Sequence, residues 1–304
     1  MIVFSDTKLL TMYKKLIEKR YREQWFIALR VKKDSLDNKF DPKGFRIFSS
    51  PKDHFYADPF QIKIGRINYV FFEDFGLENN KGVISYSIIE KNGNNTQPKT
   101  ALIRDYHLSY PFIFIWNNDV YMIPETSQNR TIELYKAINF PENWQLSKVL
   151  FHNVVAADTT IFVYNNKFWL FTNMVTDNSR LNEELFLFYS DSPFGSWIPH
   201  PKNPIVSDIC SARPAGKVFI QDGKIIRPGQ DCSVRYGYAI TLNQIEVISE
   251  TEYKEKPVNK IMPAWLPNNL GTHTINSNED IEVIDAKIFI KKFIWLDYIA
   301  KIFK

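Results

Sequence analysis

The chain has 304 residues, 44% hydrophobic and 24% charged, with a net charge of +4. These values match a globular protein with a sizeable core. Basic and acidic residues are interspersed and no Lys/Arg-rich run occurs, which argues against a nucleic-acid partner. There is no apolar run of about 18 residues and no apolar stretch leading to a small-residue cleavage site near the start, so neither a spanning helix nor a signal peptide is expected. Aromatic content is 15%, which serves both strand packing and sugar stacking.

Taken in chain order, residues 5–22 read as a helix. Ser5, Asp6 or Thr7 would cap it, with Leu9, Leu10, Tyr13, Leu16 and Ile17 on one side, so 1–24 is expected to be a helical extension. The segment from Trp25 to Val31 reads as a strand without a unit of its own. Five units follow, each with a polar residue, a short apolar strand, a tight turn and a returning strand. They start at Asp58, Tyr110, Asp158, Arg213 and His273, at intervals of about 50 residues typical of propeller blades.

The turns lie at Gly65–Arg66, Asn117–Asp119, Asn165–Lys167, Gln221–Gly223 and Asn278–Asp280, with Asn, Asp and Gly supplying the left-handed positions that tight hairpins use. Third strands are expected at Gly82, Thr131, Glu184 and Tyr236. The fifth unit is short, and the strand from Trp25 completes it and closes the ring. The expected fold is therefore an all-β, five-bladed β-propeller over 25–290. An amphipathic, basic tail follows over 291–304, with Phe293, Ile294, Leu296, Ile299 and Phe303 among lysines. Both ends have two readings, packing on the propeller's side or docking on an anionic membrane surface.

In a propeller the innermost strands line the axis. Their starts and the ends of the second strands open on one face. The repeat thus gathers Asp58, Tyr110, Asp158, Arg213 and His273 with Glu73, Glu125, Asn173, Gln230, Asp231 and Asp285. Charges beside an apolar core are costly unless paired or used, so this register points to a polar funnel. His107 falls just above Tyr110 at the same mouth. Individual members have plainer readings too: Asp58 as a turn acid before Pro59, Asp158 as a turn cap, Glu125 as a solvated hairpin end. One His without a ligand cluster argues against a metal, and no cofactor motif is present. Cys210 and Cys232 fit two reduced thiols in a cytoplasmic protein.

With these residues in place, the chain resembles the N-terminal domain of glucosamine inositolphosphorylceramide transferases and its bacterial surface-polysaccharide relatives. The matching stretches are Ala57–Phe60, Phe72–Glu73, His107–Phe112, Pro124–Thr126, Ala212–Gly216, Arg227–Asp231, Tyr236–Gly237 and Gly271–Thr274. More distantly it is similar to five-bladed glycosidases of glycoside hydrolase family 43. That likeness implies Asp58 as base or nucleophile and Asp158 as an orienting carboxylate. It departs in the fourth blade, which starts with Arg213 where an acid would stand.

Three functions follow as expectations. One is a carbohydrate-active enzyme, glycosidase-like or glycosyl-transferring, with Asp58 as base or nucleophile, Glu125 as acid and Asp158 in support. Glu73, His107, Tyr110, Arg213, Arg227, Gln230, Asp231 and His273 would bind substrate, and the two arginines suggest an anionic sugar. Another is a non-catalytic glycan-binding module serving a polysaccharide- or glycolipid-assembling partner enzyme. A scaffold with an empty funnel is a third. The expected place is the cytoplasm, at or near the inner face of the membrane.

Overall fold

A computed structural model describes residues 21–32, 40–177 and 179–291. The chain enters on β1 (Tyr21–Val31) and β2 (Arg46–Phe48). Blade one is β3 (His54–Ile64), β4 (Ile67–Gly76), β5 (Lys81–Ile89) and β6 (Lys99–Leu102). Blade two is β7 (Ser109–Trp116), β8 (Asp119–Glu125), β9 (Thr131–Asn139) and β10 (Asn143–His152). Blade three is β11 (Ala156–Tyr164), β12 (Lys167–Met174) and β13 (Glu184–Ser190), edged by the short β14 (Ile198–Pro199) and β15 (Val206–Ser207).

Blade four begins with an inner strand broken into β16 (Arg213–Pro214) and β17 (Phe219–Gln221), followed by β18 (Lys224–Asp231), β19 (Ala239–Ile248) and β20 (Tyr253–Ile261). Blade five is β21 (Ile275–Ser277) and β22 (Ile281–Lys291), completed by β1 and β2 from the other end of the chain. The five-bladed propeller expected from the repeat is therefore the observed fold.

The hairpin turns explain the even spacing. Asn117 and Asn118 both have positive φ (48° and 65°), as do Asn165 and Asn166 (50° and 57°) and Asp222 and Gly223 (49° and 72°). Two successive left-handed residues make the turn whose twist matches the flanking strands. The fifth turn works differently: Asn278 Oδ1 accepts the backbone N–H groups of Asp280 and Ile281, each at 2.9 Å.

Ring closure rests on β1. It pairs antiparallel with β22 from Tyr21↔Lys291 to Val31↔Ile281. Its alternating side chains serve two interfaces, as the two-residue period of a strand requires. Ile27 and Leu29 pack with Phe48, Tyr56, Val70 and Phe72 toward blade one. Ala28 packs with Ala215, Ile240 and Ile261 toward blade four. The larger clusters between blades one, two and three and between blades three and four fill the rest of the ring.

Some expectations need correction. Tyr21–Gln24 belong to β1 rather than to a helical extension, and Lys291 belongs to β22 rather than to a tail. Two 3₁₀ turns are the helical elements of the described residues, so these contain no terminal α-helix; the rest of both expected extensions lies outside the described residues. No helix among the described residues is long and apolar enough to cross a membrane. The expected third strand of blade four starts at Ala239, leaving Tyr236 and Gly237 in the preceding turn. Cys210 and Cys232 are both free thiols.

Because β1 supplies the third strand of blade five, a chain starting at residue 33 is expected to lose its cooperative thermal transition. A peptide spanning 21–32 added in trans restores near-UV circular dichroism if the account is right. A truncated chain that melts like the intact one contradicts it.

Candidate functional site

The first three inner strands share a local device. Asp58, Tyr110 and Asp158 all have positive φ (51°, 42° and 56°). Each sits in a register break of its inner hairpin, at Ala57/Phe60, Ser109/Phe112 and Ala157/Thr160. A left-handed residue in a bulge re-aims its side chain away from the strand's normal alternation. The proline after Asp58 and after Tyr110 fits, since a bulged residue has no ladder partner for an N–H. The strain is of a kind that collects at functional sites, and Asp accepts it more readily than most residues.

The funnel that results is a cavity of about 210 Å³. Its polar wall is Asp58, Glu73, His107, Ser109, Glu125, Arg213 and His273, and its apolar wall is Trp25, Phe55 and Tyr236. Six residues expected at the site thus open on one space.

Two ion-pair networks underlie it. In the first, His273 Nδ1 lies 2.5 Å from Asp285 Oδ2 and 3.6 Å from Asp58 Oδ1. Asp285 Oδ1 accepts the backbone N–H groups of His273 and Thr274, at 2.7 and 3.0 Å. Thr274 Oγ1 donates to Asp58 Oδ1 at 2.6 Å. Trp25 stacks on the imidazole at a centroid distance of 3.8 Å, with Tyr236 edge-on to both rings. Gly237, at φ +63°, makes room for this stack: a Cβ there would lie 2.7 Å from Trp25 and 2.9 Å from His273.

In the second network Arg213 grips Asp158 at 2.6 and 3.2 Å and reaches Glu125 at 3.3 Å and Asn182 at 3.0 Å. Gln230 Nε2 donates to Asp158 Oδ2 at 2.8 Å. Asn173 holds the Asn182 backbone N–H at 2.9 Å, so it supports the arginine at one remove. Glu125 also accepts the Ser127 hydroxyl at 2.5 Å.

Burial is the largest influence on the buried titrating groups. It pushes Asp58 up to about 6, with His273 opposing and Asp158 and Asp285 adding. It pushes Asp158 to about 6 as well, against the pull of Arg213. Glu73 is raised well above the usual carboxylate range, by burial first and then by Asp58 and Glu125. Burial alone would lower His273, but Asp285 and Asp58 outweigh it and raise it. Burial lowers His107. Its Nδ1 accepts the Gly82 N–H at 2.9 Å, which leaves the ring proton on Nε2, 3.5 Å from Glu73 Oε1.

The remaining expected residues lie elsewhere. Asp158 and Gln230 are fully buried behind Arg213 and position it. Tyr110 is fully buried, its hydroxyl 3.0 Å from Thr160 Oγ1 and accepting the Gly216 N–H at 2.8 Å, so it ties blades two, three and four instead of lining the funnel. Arg227 is buried in blade four on Glu255, at 2.7 Å, and on the Ser211 carbonyl. Asp231 is paired with Lys260. Neither joins the funnel wall, and Arg213 is already engaged by acids, so the expectation of an anionic sugar loses its basis.

Trp25, Phe55, Ser109 and Tyr236 join the wall without being expected as site residues, although Ser109 and Tyr236 lie in matching stretches. Asp58, His273 and Asp285 offer three metal-ligand atoms within 4.8 Å of one another. The histidine that the sequence leaves without a ligand cluster therefore has two carboxylates beside it, and all three groups also hold protein hydrogen bonds or ion pairs.

Residues 47–280 match the family described as glucosamine inositolphosphorylceramide transferase 1, N-terminal. The chain belongs to that family. It is 39% identical over 237 residues to glucosamine inositolphosphorylceramide transferase 1 of Oryza sativa subsp. japonica, covering 74% of this chain and 32% of the relative. It is 38% identical over 209 residues to the Arabidopsis thaliana protein of the same name, covering 67% and 27%. The match thus spans about a third of these relatives' length.

Among solved structures, Zg3597, a family 117 glycoside hydrolase of Zobellia galactanivorans, shares the fold at a TM-score of 0.54 and 11% identity, covering 86% of this chain and 90% of that one. The exo-β-1,3-galactanase 1,3Gal43A of Clostridium thermocellum does so at 0.53 and 13%, covering 66% and 49%. The relatives support a carbohydrate-related function, while the two structures show the fold.

The raised pKa of Asp58 fixes a stability prediction. Its folded-state pKa lies above its unfolded value, so its stabilising contribution is full below about 4 and is lost as pH rises through about 6. Asp58→Asn removes the buried charge, keeps an acceptor for Thr274 and tolerates positive φ. At pH 7.5 the variant is expected to be more stable by roughly 1–3 kcal/mol, with the gain vanishing toward pH 4. Thermal melts across that range check it; a variant less stable than the parent at pH 7.5 contradicts it.

Proposed function

We propose that the funnel holds a single sugar unit bearing an amino group, and that Glu73 and Asp58 perform general acid–base or nucleophilic chemistry on its glycosidic bond. One observation carries the reading: Asp58 and Glu73 open on the same aromatic-walled cavity, and burial raises both carboxyls, with His273 opposing the rise only at Asp58. Burial holds Glu73 well above the usual carboxylate range, which favours its proton-donating form, while Asp58, raised to about 6, ionises as pH passes that point. Such a pairing separates acid from base.

The cavity of about 210 Å³ suits one sugar ring, with Trp25 and Tyr236 as faces for its C–H bonds. Its charge selects the sugar. Asp158 answers Arg213 and Asp285 answers His273, leaving Asp58 and Glu125 to favour an ammonium over a carboxylate. The relatives are named for glucosamine, which fits. Glu125 becomes the amine's partner in this reading and not the acid, since it lies on the cavity wall with one oxygen 3.3 Å from Arg213. Transfer to a glycolipid and a setting beside a glycan-assembling enzyme at the inner membrane face complete the proposal.

The second reading, a glycan-binding module without turnover, is favoured by the tied state of blade four, where Arg213 stands at the start of the inner strand and is saturated by acids.

Release of 4-nitrophenol from a 4-nitrophenyl glucosaminide tests both. Turnover is expected to rise as pH passes about 6, where Asp58 ionises, and to fall again when Glu73 loses its proton. Asp58→Asn and Glu73→Gln each lower kcat/KM by about 10²–10⁴-fold. Saturable binding without turnover in the parent protein supports the second reading. Absence of both sinks the sugar site altogether.

A further inference from the structure

The axis has a second mouth. Where the inner strands end, opposite the funnel, a cavity of about 620 Å³ is lined by residues from all five blades, including Gln61, Phe112, Ile161, Lys217, Val218 and Ser277. None of these is used by the chemistry above. Lys217 follows Gly216, whose φ of +134° and tight approach to the Ile275 carbonyl bring the chain into the axis at the break between β16 and β17. Its backbone N–H donates to Asn276 Oδ1 at 2.8 Å and its Nζ to the Gln61 carbonyl at 3.0 Å.

Two features of this mouth are unfinished. Among the described residues no carboxylate lies within ion-pair distance of Lys217 Nζ; the neighbouring Glu279 and Asp280 are both paired with Lys63, at 3.0 and 2.8 Å. An ammonium in such surroundings is costly, and burial lowers this one to about 8. Gln61 is 2% exposed and its side-chain oxygen Oε1 has no hydrogen-bond partner, although buried polar atoms almost always have one. A donor-bearing anion would satisfy both groups at once.

We propose that this mouth is a second ligand site for a small hydroxylated carboxylic acid. The carboxylate meets Lys217 Nζ, a hydroxyl donates to Gln61 Oε1, and the carbon chain lies on Phe112, Ile161 and Val218. A single negative charge suits the single free ammonium, whereas a dianion would face Glu279 and Asp280 with one charge left over. The site is separate from the funnel, which its carboxylates make hostile to anions, so its fate is independent of the amino-sugar reading.

Titration calorimetry with D-gluconate tests it. The parent protein is expected to bind saturably, and Lys217→Met and Gln61→Leu to weaken binding at least about tenfold, since one good ion pair or buried hydrogen bond is worth that much. Asp58→Asn, in the funnel, leaves gluconate affinity unchanged. A readout without variants is protection: gluconate slows acetic anhydride labelling of Lys217, read by peptide mass spectrometry, while exposed lysines label at their usual rate. No saturable binding, equal affinity in Lys217→Met, or an unprotected Lys217 each overturns the proposal.

Discussion

The pairing of β1 with β22 is the constraint on which the rest depends. It brings the two ends of the described chain into one sheet and turns an open row of blades into a ring. An unpaired β22 would present an edge, and the interface between blades five and one would lose Ile27 and Leu29. The same pairing completes the funnel, because Trp25, near the middle of β1, is the ring that stacks on His273. Closure and site assembly are therefore one event.

Within the closed ring, the axis collects more charge than a protein interior tolerates without partners. The structure answers with two networks, Asp285–His273–Asp58 and Asp158–Arg213–Glu125, each spanning neighbouring blades. Because the partners come from different blades, they fix the ring's geometry as well as its charge. Compensation is incomplete at Asp58, Glu73 and Asp158, whose pKa values are raised. Folding energy is given up at the groups proposed for chemistry and at the carboxylate that positions Arg213, a trade expected of a working site.

The fold was legible because the repeat sits in turn chemistry. Paired asparagines at 117–118 and 165–166 mark left-handed hairpins, and the polar starts at 58, 110 and 158 mark the bulges that precede them. Convergence at the axis followed from register alone for Asp58, Glu73, Glu125, Arg213 and His273. Register does not say which way a side chain points once a bulge or a break intervenes. Tyr110 sits in a bulge like that of Asp58 but its long ring reaches Gly216, and Arg227, three residues from Gln230 on one strand and so on its other face, pairs with Glu255.

Trp25 and Tyr236 were invisible as site residues for another reason. Trp169 is also a tryptophan in a strand, yet it packs in the core between blades three and four. Only the three-dimensional stack with His273, made possible by the missing side chain of Gly237, separates the two cases. The expected terminal helices show a different limit: periodicity over 5–22 ran into Tyr21 and Arg22, which long-range pairing with β22 draws into a strand instead.

The most direct test of the central claim is a crystal structure of the protein soaked in glucosamine. The account predicts the sugar ring in the funnel, its face against Trp25 and Tyr236 and its amino group within hydrogen-bond reach of Glu125 or Asp58. Glucosamine ordered elsewhere while the funnel holds only water would contradict it.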